Sequence, residues 1–176
     1  MNLKNSRVQK LAPAAMFLAL GLVLPFVMGQ IPYIGNMLLP MHLPVLLCGL
    51  ICGWRYGLVV GFMTPIMRAI LIGAPTLYPR GVRMALELAT YGLIVGLIYG
   101  LAKKKSILSV YGAMIPAMLA GRIVWGLISV LQLGAKAEAF TLQAFVAGGF
   151  VEAIPGILLQ LILIPAVMAV WQKKIS

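Results

Sequence analysis

Five residues carry most of the ionisable chemistry inside an otherwise apolar chain. His42, Arg68, Glu87, Arg122 and Glu152 each sit within a hydrophobic stretch. A charge at the centre of a bilayer costs at least ~2.5–3.5 kcal/mol on insertion scales, so such residues pair or line a polar cavity. Two outcomes follow. Either the arginines and glutamates neutralise one another and fix helix register, or at least one arginine addresses a ligand. Arginine offers an always-charged planar fork that matches a carboxylate. Glu87 also has a local option, because Arg83 lies four residues earlier on the same helical face. His42 is either a ligand contact or a satisfied interface histidine.

The rest of the inventory excludes other chemistry. The three acids are Glu87, Glu138 and Glu152, and the chain has no Asp. That removes Walker B motifs, EF-hand loops and Asp-based Mg²⁺ phosphotransfer. A single His makes neither H-E-x-x-H nor a three-His centre, so no metal or cofactor is expected. No P-loop pattern is present. A Ser129/His42 hydrolase needs a base–nucleophile contact and an orienting acid, which the spacing does not supply. No catalytic residue is assigned. Cys48 and Cys52, four apart in an apolar run, read as small buried hydrophobes.

The elements that position these residues are membrane spans. The 176 residues are 62% hydrophobic and 10% charged, against about 25% charged in soluble domains. Residues 11–28 form an apolar run too long, and too little followed by polar sequence, for a signal peptide. Gly29 to Asn36 is a Gly/Pro/Asn connection. The run from Met37 to Gly73 as one helix reaches roughly 55 Å, far beyond a ~30 Å hydrocarbon core. It folds back at Gly53-Trp54-Arg55-Tyr56-Gly57, which gives spans at about 38–53 and 56–72. Ala74 to Arg80 is a Pro-rich connection. Further spans run from about 82 to 102, 107 to 131 and 143 to 171, the last bent by Pro155 and Pro165. The expected fold is an all-α integral membrane protein: one domain, residues 1–176, as a bundle of six transmembrane helices.

The net charge of +11 lies mostly in loops and ends. Topology explains it better than nucleic acid does. One side collects Lys4, Arg7, Lys10, Arg55, Lys103, Lys104, Lys105, Lys173 and Lys174; the other collects Arg80, Arg83 and Lys136. Nine against three places both termini in the cytoplasm. Counting ~1.5 Å per residue, His42, Arg68, Glu87, Arg122 and Glu152 then share the outer half of the bilayer. Tyr33, Asn36, Thr76 and Tyr78 lie in the two outer loops, in reach of ligand hydroxyls. Trp125, one turn from Arg122, is either an apolar wall or a lipid-facing interfacial residue. Glycines at 49, 53, 57 and 61, and at 92, 96 and 100, recur every four residues and read as close helix packing.

The stretches Leu39-Pro40-Met41-His42-Leu43-Pro44-Val45-Leu46-Leu47-Cys48-Gly49, Gly53-Trp54-Arg55-Tyr56-Gly57 and Gly61-Phe62-Met63-Thr64-Pro65 resemble the substrate-binding S components of energy-coupling-factor (ECF) vitamin transporters. Glu87-Leu88-Ala89-Thr90-Tyr91-Gly92 and Gly121-Arg122-Ile123-Val124-Trp125-Gly126 strengthen the likeness, which covers the whole chain. The pantothenate-type members are the most similar. The resemblance implies a plasma-membrane subunit that binds a vitamin near the external face. It also implies a membrane coupling subunit and two cytoplasmic ATPase subunits as partners. A small-residue Ala-x-x-x-Ala on the first helix contacts the coupling subunit in the family, which matches Ala15 and Ala19 here. Pyridoxine, hydroxymethylpyrimidine and riboflavin are alternative ligands. A stand-alone proton-coupled transporter with Glu87 or Glu152 as relay is the alternative mechanism, but the two halves show no inverted repeat.

Overall fold

The computed structural model describes residues 7–29, 37–133 and 153–175. Six α-helices occur among them, with no strand: α1 (Arg7–Gly29), α2 (His42–Cys52), α3 (Trp54–Ile72), α4 (Val82–Leu101), α5 (Ile107–Leu133) and α6 (Ile154–Ile175). A π-type turn over Leu77–Gly81 leads into α4. Five helices are long and apolar enough to cross a membrane. The first ten residues of the expected last span, 143–152, lie outside the described residues.

The short helix is α2. The sequence suggests a span over about 38–53, but the helix has 11 residues, roughly 17 Å at 1.5 Å each. The reason is local. Leu39 precedes Pro40 and takes φ 51, and a residue before proline is pushed out of the α region. Helix geometry starts only where His42 N–H donates to Leu39 O at 3.0 Å. The approach segment packs on α6, where a Cβ at Gly156 would lie 2.6 Å from Met37 O.

The hairpin expected around Gly53–Gly57 is tighter than a five-residue loop. Gly53 alone makes the turn, with φ 97, a conformation that favours glycine. Its N–H closes α2 by donating to Gly49 O at 3.1 Å, and Trp54 already begins α3.

Helix α4 is the centre of the bundle and packs on α2, α3 and α5. In lipid this contact depends on close van der Waals fit, because apolar side chains gain little by leaving the membrane. The glycines provide it. A Cβ at Gly92 would strike Gly57 O, one at Gly57 would strike Gly92 O, and one at Gly61 would strike Leu88 O. Gly49 and Gly96 face the same seam, whereas Gly100 meets nothing within 4 Å. Leu46, Leu88, Met114, Ile164 and Met168 fill the interior, while Leu108, Ile123, Ile162 and Val170 point outward.

The basic segments gather at one end of the bundle. Lys10, Gly53, Gly100, Lys105 and Lys173 all border one cavity there. Lys105 Nζ donates to Tyr99 O, which closes the C-terminal end of α4. The opposite end holds the Ile72–Gly81 connection, tied to α5 by Gln132 Nε2 donating to Pro79 O at 3.2 Å.

Candidate functional site

The start of α2, the first half of α4 and the second half of α5 bring three ionisable side chains together. Glu87 lies five residues into α4, and Arg122 lies eleven residues from the end of α5. His42 opens α2. Arg122 Nη1 donates to Glu87 Oε1 at 3.0 Å. His42 Nε2 stands 3.4 Å from the same oxygen. His42, Glu87 and Arg122 are only 2%, 2% and 4% exposed.

An aromatic floor fixes this group. Tyr91 follows Glu87 by one helical turn and so shares its face. Its ring meets His42 edge to face, with centroids 5.0 Å apart and planes at 88°. Gly121 makes room for it, since a Cβ there would collide with the Tyr91 ring. Thus Gly121 positions Tyr91, and the next residue, Arg122, reaches Glu87.

Polar capacity is left over. Arg122 Nε and Nη2 and His42 Nδ1 are buried and have no hydrogen-bond partner among the described residues. A buried donor without a partner costs about 1–3 kcal/mol, more when charged. The two arginine atoms lie on one edge of the guanidinium, which is the geometry that grips a carboxylate with two parallel N–H···O bonds. One edge of Arg122 therefore answers Glu87, and the Nε/Nη2 edge, with the Tyr91 side chain nearby, keeps donors for an anion.

The other anticipated residues divide. Arg68 does not join the cluster. Its Nε donates to Ala74 O at 2.8 Å, and its guanidinium lies 5.2 Å from the Phe26 ring centroid. It ties the end of α3 to α1. Arg83 does not take Glu87 as its partner either. It donates to Ser129 Oγ at 3.0 Å and stacks 5.1 Å from the Trp125 ring centroid. Trp125 is therefore a half-buried platform for Arg83. Ser129 Oγ donates to Trp125 O at 2.7 Å, so no Ser129–His42 pair forms. Tyr78 and Thr76 are exposed in the connection before α4. Ala15 and Ala19 are exposed on α1. Tyr33, Asn36 and Glu152 lie outside the described residues.

Two residues were not singled out from the sequence. Tyr91 reads as core, although its place four residues after Glu87 is a usable signal. Gln160 is a polar residue in the middle of α6; it is 1% exposed, with Nε2 unpartnered among the described residues.

A family model described as "ECF transporter, substrate-specific component" matches residues 9–168. The chain belongs to this family. No curated protein and no solved structure matches it. The matched region runs from α1 to Met168 in α6 and includes His42, Glu87, Tyr91 and Arg122. ECF substrate-specific components are the substrate-binding subunits of a transport system, not enzymes. Membership implies a small-molecule substrate, a membrane coupling subunit and ATPases. With five helices of spanning length, this ECF component is a multi-pass membrane protein.

Proposed function

We propose that this ECF component binds an anionic water-soluble vitamin, with pantothenate favoured, at the His42–Glu87–Tyr91–Arg122 cluster. It hands the vitamin to a membrane coupling subunit driven by two ATPases. The observation that carries this reading is the buried, unpartnered Nε/Nη2 edge of Arg122. Pantothenate combines a carboxylate, which that edge suits, with hydroxyls and an amide that suit His42 Nδ1.

The basic end of the bundle is assigned to the cytoplasm by the excess of Lys and Arg there. The cluster then lies toward the outer face of the plasma membrane. Tyr33, Asn36 and Tyr78 are assigned to the ligand from the outer loops, and Glu152 from the last span. Trp125 and Arg83 form a wall beside it. Arg68 is assigned to holding the outer connection. Ala15 and Ala19 are assigned to the coupling-subunit face, in keeping with their exposure on α1.

One observation favours a second reading. Glu87 already supplies a counter-charge to Arg122 at 3.0 Å. A neutral vitamin such as pyridoxine or hydroxymethylpyrimidine would then bind through hydrogen bonds alone. Thermal unfolding of the purified protein across a panel of vitamins separates the readings. A ligand at 100 times its Kd adds about 2.7 kcal/mol of stability. Pantothenate is expected to stabilise most. A larger shift with pyridoxine or hydroxymethylpyrimidine selects the second reading.

A further inference from the structure

A cavity of about 850 Å³ lies away from the charged cluster, at the opposite, basic end of the bundle. It lies between the first turns of α1 and α5, the α2–α3 turn and the last turns of α4 and α6. Lys10, Lys105 and Lys173 border it from three different helices or their approaches, and no acid lines it among the described residues. Among the described residues the only glutamate is Glu87, in the other half of the bundle.

Its polar and apolar parts are separately placed. Lys105 Nζ donates to the carbonyls of Tyr99 and Gly100 and lies 4.4 Å from the Tyr99 ring centroid, so this ammonium is held at the cavity wall. Gln172 Nε2 donates to Tyr99 OH at 3.0 Å. That leaves the Tyr99 hydroxyl proton available to donate. Lys10 and Lys173 are exposed at the rim. Behind these groups Leu50, Ile51 and Met168 supply apolar wall. Trp171, near the end of α6, also borders the cavity, and indole rings favour the level of lipid head groups.

We infer that this cavity binds the phosphate of an anionic phospholipid from the leaflet at the basic end, with Lys10, Lys105 and Lys173 facing the head group and an acyl chain along Leu50 and Met168. Cationic rim, absence of acid and apolar depth together suit an amphiphile with a phosphate head. Basic pockets between transmembrane helices on the cytoplasmic side recognise such lipids. This site is separate from the vitamin cluster.

The test uses the full-length protein, delipidated in neutral detergent, with native mass spectrometry and thermal unfolding as readouts. The probes are phosphatidylglycerol, cardiolipin, phosphatidylcholine and inorganic phosphate. Phosphatidylglycerol and cardiolipin are expected to bind and raise Tm, and phosphatidylcholine and inorganic phosphate are not. Each lysine near the head group contributes about fivefold. Lys10→Gln with Lys173→Gln is therefore expected to weaken lipid binding roughly 25-fold. Gly100→Leu places a side chain where a Cβ meets nothing within 4 Å, so it is expected to keep the lipid-free Tm and lose lipid binding. Equal protection by phosphatidylcholine overturns the proposal, as does wild-type lipid affinity in both variants. Full competition by inorganic phosphate also overturns it, pointing to a free-phosphate site.

Discussion

Arg122→Gln separates what the buried arginine does for the fold from what it does for a ligand. The substitution removes the 3.0 Å contact and leaves Glu87, 2% exposed, with only His42 at 3.4 Å. Breaking a buried pair from one side costs about 3–5 kcal/mol, because the remaining charge is uncompensated. The double variant Glu87→Gln with Arg122→Gln removes both charges, and replacing a buried pair whole is close to neutral for stability. It is expected to recover most of the stability that the single variant loses. Binding behaves differently. Both variants lack the Nε/Nη2 edge, so both lose the two charge-assisted bonds to a carboxylate. That loss is about 2–4 kcal/mol, or roughly 30- to 1,000-fold in Kd. The assay is thermal unfolding of each protein alongside isothermal titration with pantothenate. A stable double variant that binds pantothenate within about twofold of wild type refutes the reasoning. Arg122 would then be only the counter-ion of Glu87.

Other outcomes follow from the same geometry. Gly92→Ala drives a methyl into Gly57 O and is expected to lower thermal stability by about 1–3 kcal/mol. Gly100→Ala, which meets nothing, is expected to be neutral or stabilising by up to about 1 kcal/mol; equal effects of the two would contradict the α3–α4 seam. Ala15→Trp or Ala19→Trp is expected to abolish ATP-dependent uptake in the assembled transporter while ligand affinity stays within about twofold; a parallel fall in affinity would assign the pair to internal packing. A cysteine at Lys136 is expected to label from outside and one at Lys104 to resist. Cys48 and Cys52 are buried and keep the background low; the reverse labelling would invert the topology.

Much of the fold is legible in the sequence because spans depend on composition and length, which a chain displays directly. Four helices, α1, α3, α4 and α5, start and stop near the expected places for that reason, whereas α6 begins at Ile154 rather than near 143, and residues 143–152 lie outside the described residues. The failure at α2 is instructive. Met37 to Met41 is as apolar as the helix it precedes, so hydropathy does not show that Leu39 leaves the α region. The site divides along a similar line. Counting residues gives depth, and of the residues it groups the structure brings His42, Glu87 and Arg122 into contact. It does not give the direction a side chain faces around its helix. Arg68 shares the depth of Arg122 yet turns to Ala74 and Phe26. Glu87 takes Arg122 on a neighbouring helix rather than Arg83 on its own, because Arg83 is engaged by Ser129 and Trp125. Periodicity marks the glycines without ranking them. Gly92 is in contact on two sides of the seam, Gly53 is a turn, and Gly100 packs against nothing.

A buried arginine edge that recognises an anionic vitamin must tell a carboxylate from an alcohol. Paired isothermal titrations of the wild-type protein with pantothenate and with its uncharged alcohol, pantothenol, address it directly, since the ligands differ only where Arg122 is expected to bind. Pantothenate is expected to bind at least roughly 30-fold more tightly, the lower bound for a charge-assisted contact of about 2 kcal/mol. Equal affinity for the two, or binding of neither, would contradict it.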